Sequence, residues 1–148
     1  MCQVNNTRVK LSEPIKVYKV VKSKQYCDGI HYHTPYQLTE LEIGKQYRAR
    51  ISNAHINLWC QDETQFYDGC EKRKELEDGF FHCFTSLEAA NSCAVLLKIT
   101  RSWSSSNYSI LECEVPANAV VFKGEWSLCG ICYGSIAVSE LKIIGPAT

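Results

Sequence analysis

Cys129 and Cys132 enclose Gly130 and Ile131, a spacing that serves either redox or metal chemistry. A redox dithiol stands between a strand and a helix, whose N-terminus lowers the first thiol's pKa. Gly134 and the strand-like residues 135 to 138 follow here, so the supporting helix is missing and a redox role is not expected. The same pair has the spacing of two zinc ligands, and His31 and His33 offer two more. Side chains at i and i+2 of a strand project to one side, roughly 7 Å apart. The two pairs lie far apart in the chain and a second CxxC is absent, so a glycine-bearing turn is the expectation and no metal ligand is assigned.

His82 lies in the run GFFHCF, residues 79 to 84, where alternation gives it the same face as Phe80 and Phe84. A lone histidine on an aromatic face is more often a hydrogen-bonded core or pocket-wall residue than a catalyst. Glu112 and Glu114 flank Cys113 and share a strand face, as paired acid and base carboxylates do. They fit better the polar half of a sheet whose Leu111, Cys113 and Val115 point inward. No serine or cysteine nucleophile with a paired base and an orienting acid can be assembled from spacing, so no catalytic residue is assigned. Aromatic residues are more telling. Tyr26, Tyr32, Tyr36, Trp103, Tyr108, Trp126 and Tyr133 fall in turn-rich segments, and exposed rings beside polar groups make a stacking surface. The ligand-binding candidates are therefore His82, Tyr32, His33, Tyr36, Trp103 and Tyr108.

These side chains need elements to hold them. Residues 15 to 22, IKVYKVVK, are β-branched and bounded by Pro14, and read as a first strand with a central place in a sheet. The segment from Cys27 to Pro35 is dense in turn formers, and a Gly44 turn leads into an alternating strand. Residues 55 to 60, HINLWC, read as a partner strand, and residues 61 to 78, with seven acidic and three basic side chains, as a solvated excursion. Thr85 and Glu88 have capping-box spacing, predicting a helix over about residues 85 to 97, whose Leu87, Ala90, Ala94 and Leu97 share a face with Cys93 beside them. LLKITRSW, residues 96 to 103, and NYSILECEV, residues 107 to 115, read as strands, the second ended by Pro116, Ala117 and Asn118. AVVFKG and SIAVSELKII supply two more. Strands outnumber the helix without regular alternation, so the expected class is α+β: one compact domain over residues 1–148, a largely antiparallel twisted sheet with one main helix packed on it.

Composition bounds the surroundings. A chain of 148 residues suits one core, and 45% apolar with 22% charged residues excludes disorder. No apolar run reaches the ~20 residues of a membrane-spanning helix, so no membrane association is expected. Sixteen basic and sixteen acidic residues cancel, and Lys72, Arg73 and Lys74 sit among acids, which disfavours extended nucleic acid as a partner. Nine cysteines is an odd number, and the first fourteen residues lack a secretory pattern. Reduced thiols in the cytoplasm are the expectation.

The order Val17-Tyr18-Lys19, then Ile43 to Tyr47, then the residues 78 to 86 before a capped helix, then residues 111 to 116 and 137 to 143, resembles a group of short uncharacterised phage and bacterial proteins. Those carry a GKxY turn, a GFHxC strand leading into a helix, and a final lysine-isoleucine strand; Phe81 is an extra residue here. The layout is also similar, more distantly, to the compact ADP-ribosyltransferase fold. That likeness would place Thr85 and Ser86 at the strand-to-helix step and Glu112, Glu114 or Glu140 near the NAD ribose. It leaves the nucleotide-anchoring arginine or histidine of the early strand unfilled, because IKVYKVVK offers only lysines. The expected function is a non-enzymatic, cofactor-free binding module of phage or bacterial accessory type. It would take a nucleotide-like small molecule or a protein through the aromatic loops around residues 26 to 36 and 103 to 108. An ADP-ribosyltransferase-like enzyme and a zinc-stabilised interaction domain are the alternatives.

Overall fold

The β-branched run that starts at Ile15 continues to Tyr26 and forms β2 (Ile15–Tyr26), the longest strand among the described residues. The computed structural model describes residues 4–34, 40–48, 81–100, 107–128 and 131–147. The expected strand at residues 55 to 60 and the acidic excursion lie outside them, as do Tyr36, Trp103 and Cys129. In chain order the strands are β1 (Val4–Lys10), β2, β3 (Gly29–His33), β4 (Glu40–Leu41), β5 (Gln46–Arg48), β6 (Phe81–Cys83), β7 (Asn107–Val115), β8 (Val120–Leu128), β9 (Ile131–Val138) and β10 (Glu140–Pro146). The helix α1 (Leu87–Thr100) lies between β6 and β7. Among the described residues every pairing is antiparallel, in a four-stranded sheet ordered β1-β8-β9-β6 and a six-stranded sheet ordered β4-β3-β2-β7-β10-β5. One helix among the described residues packs on antiparallel sheet, the expected α+β class, and β2 is central, between β3 and β7.

The six-stranded sheet is strongly curled. Its edges, β4 and β5, are separated in the chain only by residues 42–45. An extended chain spans at most about 3.6 Å per residue, so the edges must approach as they do when a barrel closes. Gly44 makes the turn with φ 87°, a region open to glycine at little cost. Its amide donates to the Ile143 carbonyl at 2.7 Å, and the Ile143 amide to the Lys45 carbonyl at 3.0 Å, hooking the turn onto β10. Val17, Val21, Leu41, Leu111, Cys113, Val115, Leu141 and Ile143 fill the interior with Cys83, Val121, Ile136 and Val138 from the four-stranded sheet.

The two sheets meet where the Tyr18 amide donates to the Phe84 carbonyl and the Phe84 amide donates back, each at 2.8 Å. Beside this bridge Lys19, only 5% exposed, donates from Nζ to the His82 carbonyl at 3.1 Å. On the outer face α1 buries Ala90, Cys93 and Leu97 against Val20 and Phe84, with Tyr18, Tyr108, Ile110 and Tyr133 packed around them. Of the expected packing face Ala90, Cys93, Ala94 and Leu97 dock, while Leu87 lies outside the cluster.

Several expectations need correction. A strand, β1, precedes IKVYKVVK and pairs with β8 through a register shift between Val4 and Thr7; its run of Asn5, Asn6 and Thr7 hides the alternation. The turn-rich segment after Tyr26 turns only at Cys27 and Asp28. Gly29, at φ 132°, then opens β3, paired with β2 from Tyr26↔Gly29 to Lys22↔His33. Leu96 to Thr100 are helical rather than extended, because Leu97 continues the buried stripe and Lys98 suits the helix C-terminus. SIAVSELKII is broken at Ser139, whose hydroxyl accepts the Val120 amide at 2.8 Å, so it contributes to two strands instead of one. The helix runs from Leu87, not Thr85, and its cap is Ser86, whose Oγ accepts the Ala89 amide at 3.1 Å. Replacing Ser86→Ala should therefore cost about 1 kcal/mol of folding free energy in urea titrations, and Thr85→Ala less than about 0.5 kcal/mol.

Candidate functional site

Between the outer side of β7 and the first half of α1 lies a cleft of about 530 Å³, within the size range of small-molecule sites. The helix contributes Leu87, Asn91, Ala94 and Val95; Ala94 lies beside the buried stripe of Ala90, Cys93 and Leu97, while Asn91 and Val95 are exposed at the rim. Tyr108, Ser109 and Ile110 from β7 form the floor, and Pro146 and Ala147 close one end. The Ala147 amide donates to the Ile110 carbonyl at 2.9 Å, which carries the β10 ladder past its last strand residue and fixes that wall. Tyr32 borders the cleft from β3 while packing against the interior core.

The polar groups of the cleft are unevenly engaged. The Tyr108 hydroxyl oxygen is buried and has no hydrogen-bond partner among the described residues. Leaving a buried hydroxyl unmatched costs about 1–3 kcal/mol, which a ligand acceptor or donor would recover. Ser109 donates its hydroxyl to Ser23 Oγ at 2.9 Å and keeps only acceptor capacity. None of the lining side chains is charged. A cation stands next to them, since Lys22 of β2 lies directly across from Tyr108 on one side and from His33 on the other. Cross-strand partners share a sheet face, so His33, Lys22 and Tyr108 form one row.

Of the residues singled out by type and spacing, Tyr32 and Tyr108 thus meet at the cleft and His33 joins them through Lys22. His82 is half-buried on β6, paired with Ala137, and its carbonyl accepts from Lys19; it does not line this cleft. Tyr36 and Trp103 lie outside the described residues. Sequence reasoning missed Lys22, Asn91 and the C-terminal Pro146 and Ala147. The only signal for Lys22 was its place in a strand, and its importance depends on register.

The remaining chemistry-bearing groups are otherwise occupied. Glu112 pairs with Lys16 at 3.3 Å and Glu140 with Arg48 at 2.6 Å, while Glu114 is exposed between Lys16 and Lys142 in register. The alternation of Leu111, Cys113 and Val115 inward with Glu112 and Glu114 outward is present as the polar-face reading expects. His31 is held at both ring nitrogens by Asp28 and Glu40. Cys132 lies on β9, followed by further strand rather than by a helix. Among the described residues no group of three or more potential ligands is arranged to hold a metal ion, and no helix is long and apolar enough to cross a membrane.

The thiols follow burial. Cys83 is pushed up to about 11 and Cys93 to about 12, in both cases by burial, with the Lys19 charge pulling weakly the other way. Burial also raises Cys113, aided by its neighbour Cys83. These three are packing groups, protonated at neutral pH. No protein-family model, no curated protein and no solved structure matches the chain. In the native protein at pH 8 a maleimide should label Cys27, which is exposed, and leave Cys83, Cys93 and Cys113 unmodified until denaturant is added. Peptide mass mapping reads the outcome, and rapid native labelling of Cys113 would contradict the buried assignment.

Proposed function

We propose that the protein is a non-enzymatic binding module that holds a nucleotide-like small molecule in the cleft between α1 and β7. The ring would lie on the apolar wall of Leu87, Ala94 and Ile110, with one polar edge at the Tyr108 hydroxyl. An anionic substituent would extend along the sheet toward Lys22 and His33. The observation that carries this reading is the buried, unmatched Tyr108 hydroxyl in a neutral cleft with a lysine directly beside it. Neutral walls suit a base or nucleoside, and a flanking cation suits a phosphate better than a second aromatic ring would. A role as a cytoplasmic accessory protein of phage or bacterial type belongs to the same proposal, on the strength of the resemblance in its strand and helix order.

Titration of isotope-labelled protein with AMP and with adenosine tests this. Amide shifts are expected at Asn91, Ala94, Tyr108, Ile110 and Ala147. Tyr108→Phe should weaken both ligands about fivefold, the worth of one ordinary hydrogen bond. Lys22→Met should weaken AMP by about tenfold and leave adenosine unchanged, as loss of a charge-assisted contact requires. Shifts confined to other surfaces would overturn the site, and release of nicotinamide from NAD by the pure protein would favour the ADP-ribosyltransferase-like alternative.

A further inference from the structure

His31 stands on β3 with a carboxylate at each ring nitrogen. Nδ1 is 2.6 Å from Glu40 Oε1 and Nε2 is 2.9 Å from Asp28 Oδ1. A neutral imidazole has one N–H and one lone pair, whereas an ionised carboxylate only accepts. Both bonds are therefore made at once only by the imidazolium, with each N–H donating to one carboxylate.

The three residues belong to different parts of the sheet. Asp28 sits in the turn between β2 and β3, His31 on β3, and Glu40 on β4. Among the described residues β4 is held to β3 by two residue pairs, Tyr32↔Leu41 and His33↔Glu40. Yet Leu41 is 2% exposed and belongs to the interior core, and β4 feeds through the Gly44 turn into β5 at the opposite edge. Among the described residues the shortest ladder of the six-stranded sheet is thus also at its closing edge. We propose that His31 is a proton-operated clip that fastens β4 to the β2–β3 hairpin, so that the closing edge loosens when the imidazolium gives up its proton.

The other groups facing His31 are Lys24, directly across on β2, Tyr26, whose ring meets the imidazole edge-on at 4.6 Å between centroids, and His33, two residues along β3 on the same face and directly across from Glu40. Lys24 Nζ lies 5.4 Å from the centre of the Tyr26 ring, and the repulsion of this second cation is outweighed by the two carboxylates. The bond to Asp28 first, and that to Glu40 second, raise the imidazole above its ordinary 6.5. The bond from His31 holds Asp28 below its ordinary 3.8. The signs follow. A raised histidine contributes fully below 6.5 and loses that contribution as pH climbs through the higher folded-state value, while Asp28 gives way only as pH falls below 3.8. The clip is closed between those limits and opens on the alkaline side. Because Tyr32 pairs with Leu41 and also borders the cleft, opening would reach the ligand site; that consequence alone rests on the binding reading.

Imidazole carbon and nitrogen shifts, followed by NMR from pH 5 to 9 with amide hydrogen exchange of Tyr32, His33, Glu40 and Leu41, test the clip without any ligand. His31 should titrate above 6.5, with both ring N–H protons hydrogen-bonded below that pH. Protection at Leu41, corrected for intrinsic base catalysis, should fall about threefold across the same titration, the size expected of a solvent-screened pair. In His31→Gln that protection should be low and independent of pH, while Val17 is unaffected. Glu40→Gln, which keeps the side-chain shape, should lower the His31 titration. A His31 titration at or below 6.5 would overturn the proposal, as would the same pH-dependent loss of Leu41 protection in His31→Gln.

Discussion

The arrangement depends on one junction, where β2, still paired with β7, also touches Phe84 at the end of β6. Reciprocal bonds between Tyr18 and Phe84 make a single rung of ladder, and the next carbonyl outward, that of His82, is taken by the buried ammonium of Lys19. An ammonium in an apolar interior is costly unless its hydrogen bonds are made there. For Lys19 the His82 carbonyl supplies such a bond. The consequence is geometric. With this seam in place Cys83 enters the interior core and Phe84 the helix-facing cluster, so the two layers share adjacent residues of one short strand. Without it α1 would lose Phe84 as its anchor.

From the same seam the helix is set across β2 and β7, and the cleft is what remains where α1 stops covering β7. Small side chains at Ala90 and Ala94 let the helix approach closely, and Leu87 and Val95 bound the space left over. A rigid floor of paired strands and a helical wall give a preformed site, the usual setting for small-molecule recognition. His31 works at the far edge of the same sheet, and its effect is conveyed through β3, whose residues face the clip, the core and the cleft in turn.

Much of this was legible in the residues, and what escaped did so for physical reasons. β2, β7 and α1 carry strong periodicities, because each buries one or both faces on a large core: Val17 and Val21, Leu111, Cys113 and Val115, and Ala90, Cys93 and Leu97. β1 is an edge strand with polar residues at both phases, and β3 is built from the same glycine and histidine that signal a turn. Leu96 and Leu97 suit helix or strand alike, and tertiary packing chose helix. Ser86 and Thr85 both precede the helix, and only the observed hydrogen bond distinguishes them. For the site, Tyr32, His33 and Tyr108 were identifiable as aromatic or polar side chains near turns. Their neighbours Lys22, Asn91 and Ala147 were not, since register and chain closure bring them together. The closure of β4 toward β5 is likewise a long-range property, marked in the chain only by Gly44.

The cleft as a ligand site is the central claim, and native mass spectrometry of freshly purified protein tests it most directly. The wild-type chain should carry a small-molecule adduct that is released on unfolding, and Ala94→Trp, which fills the cleft from the helix side, should lack it while keeping the same fold by circular dichroism. An adduct retained unchanged by the Ala94→Trp protein would contradict the assignment.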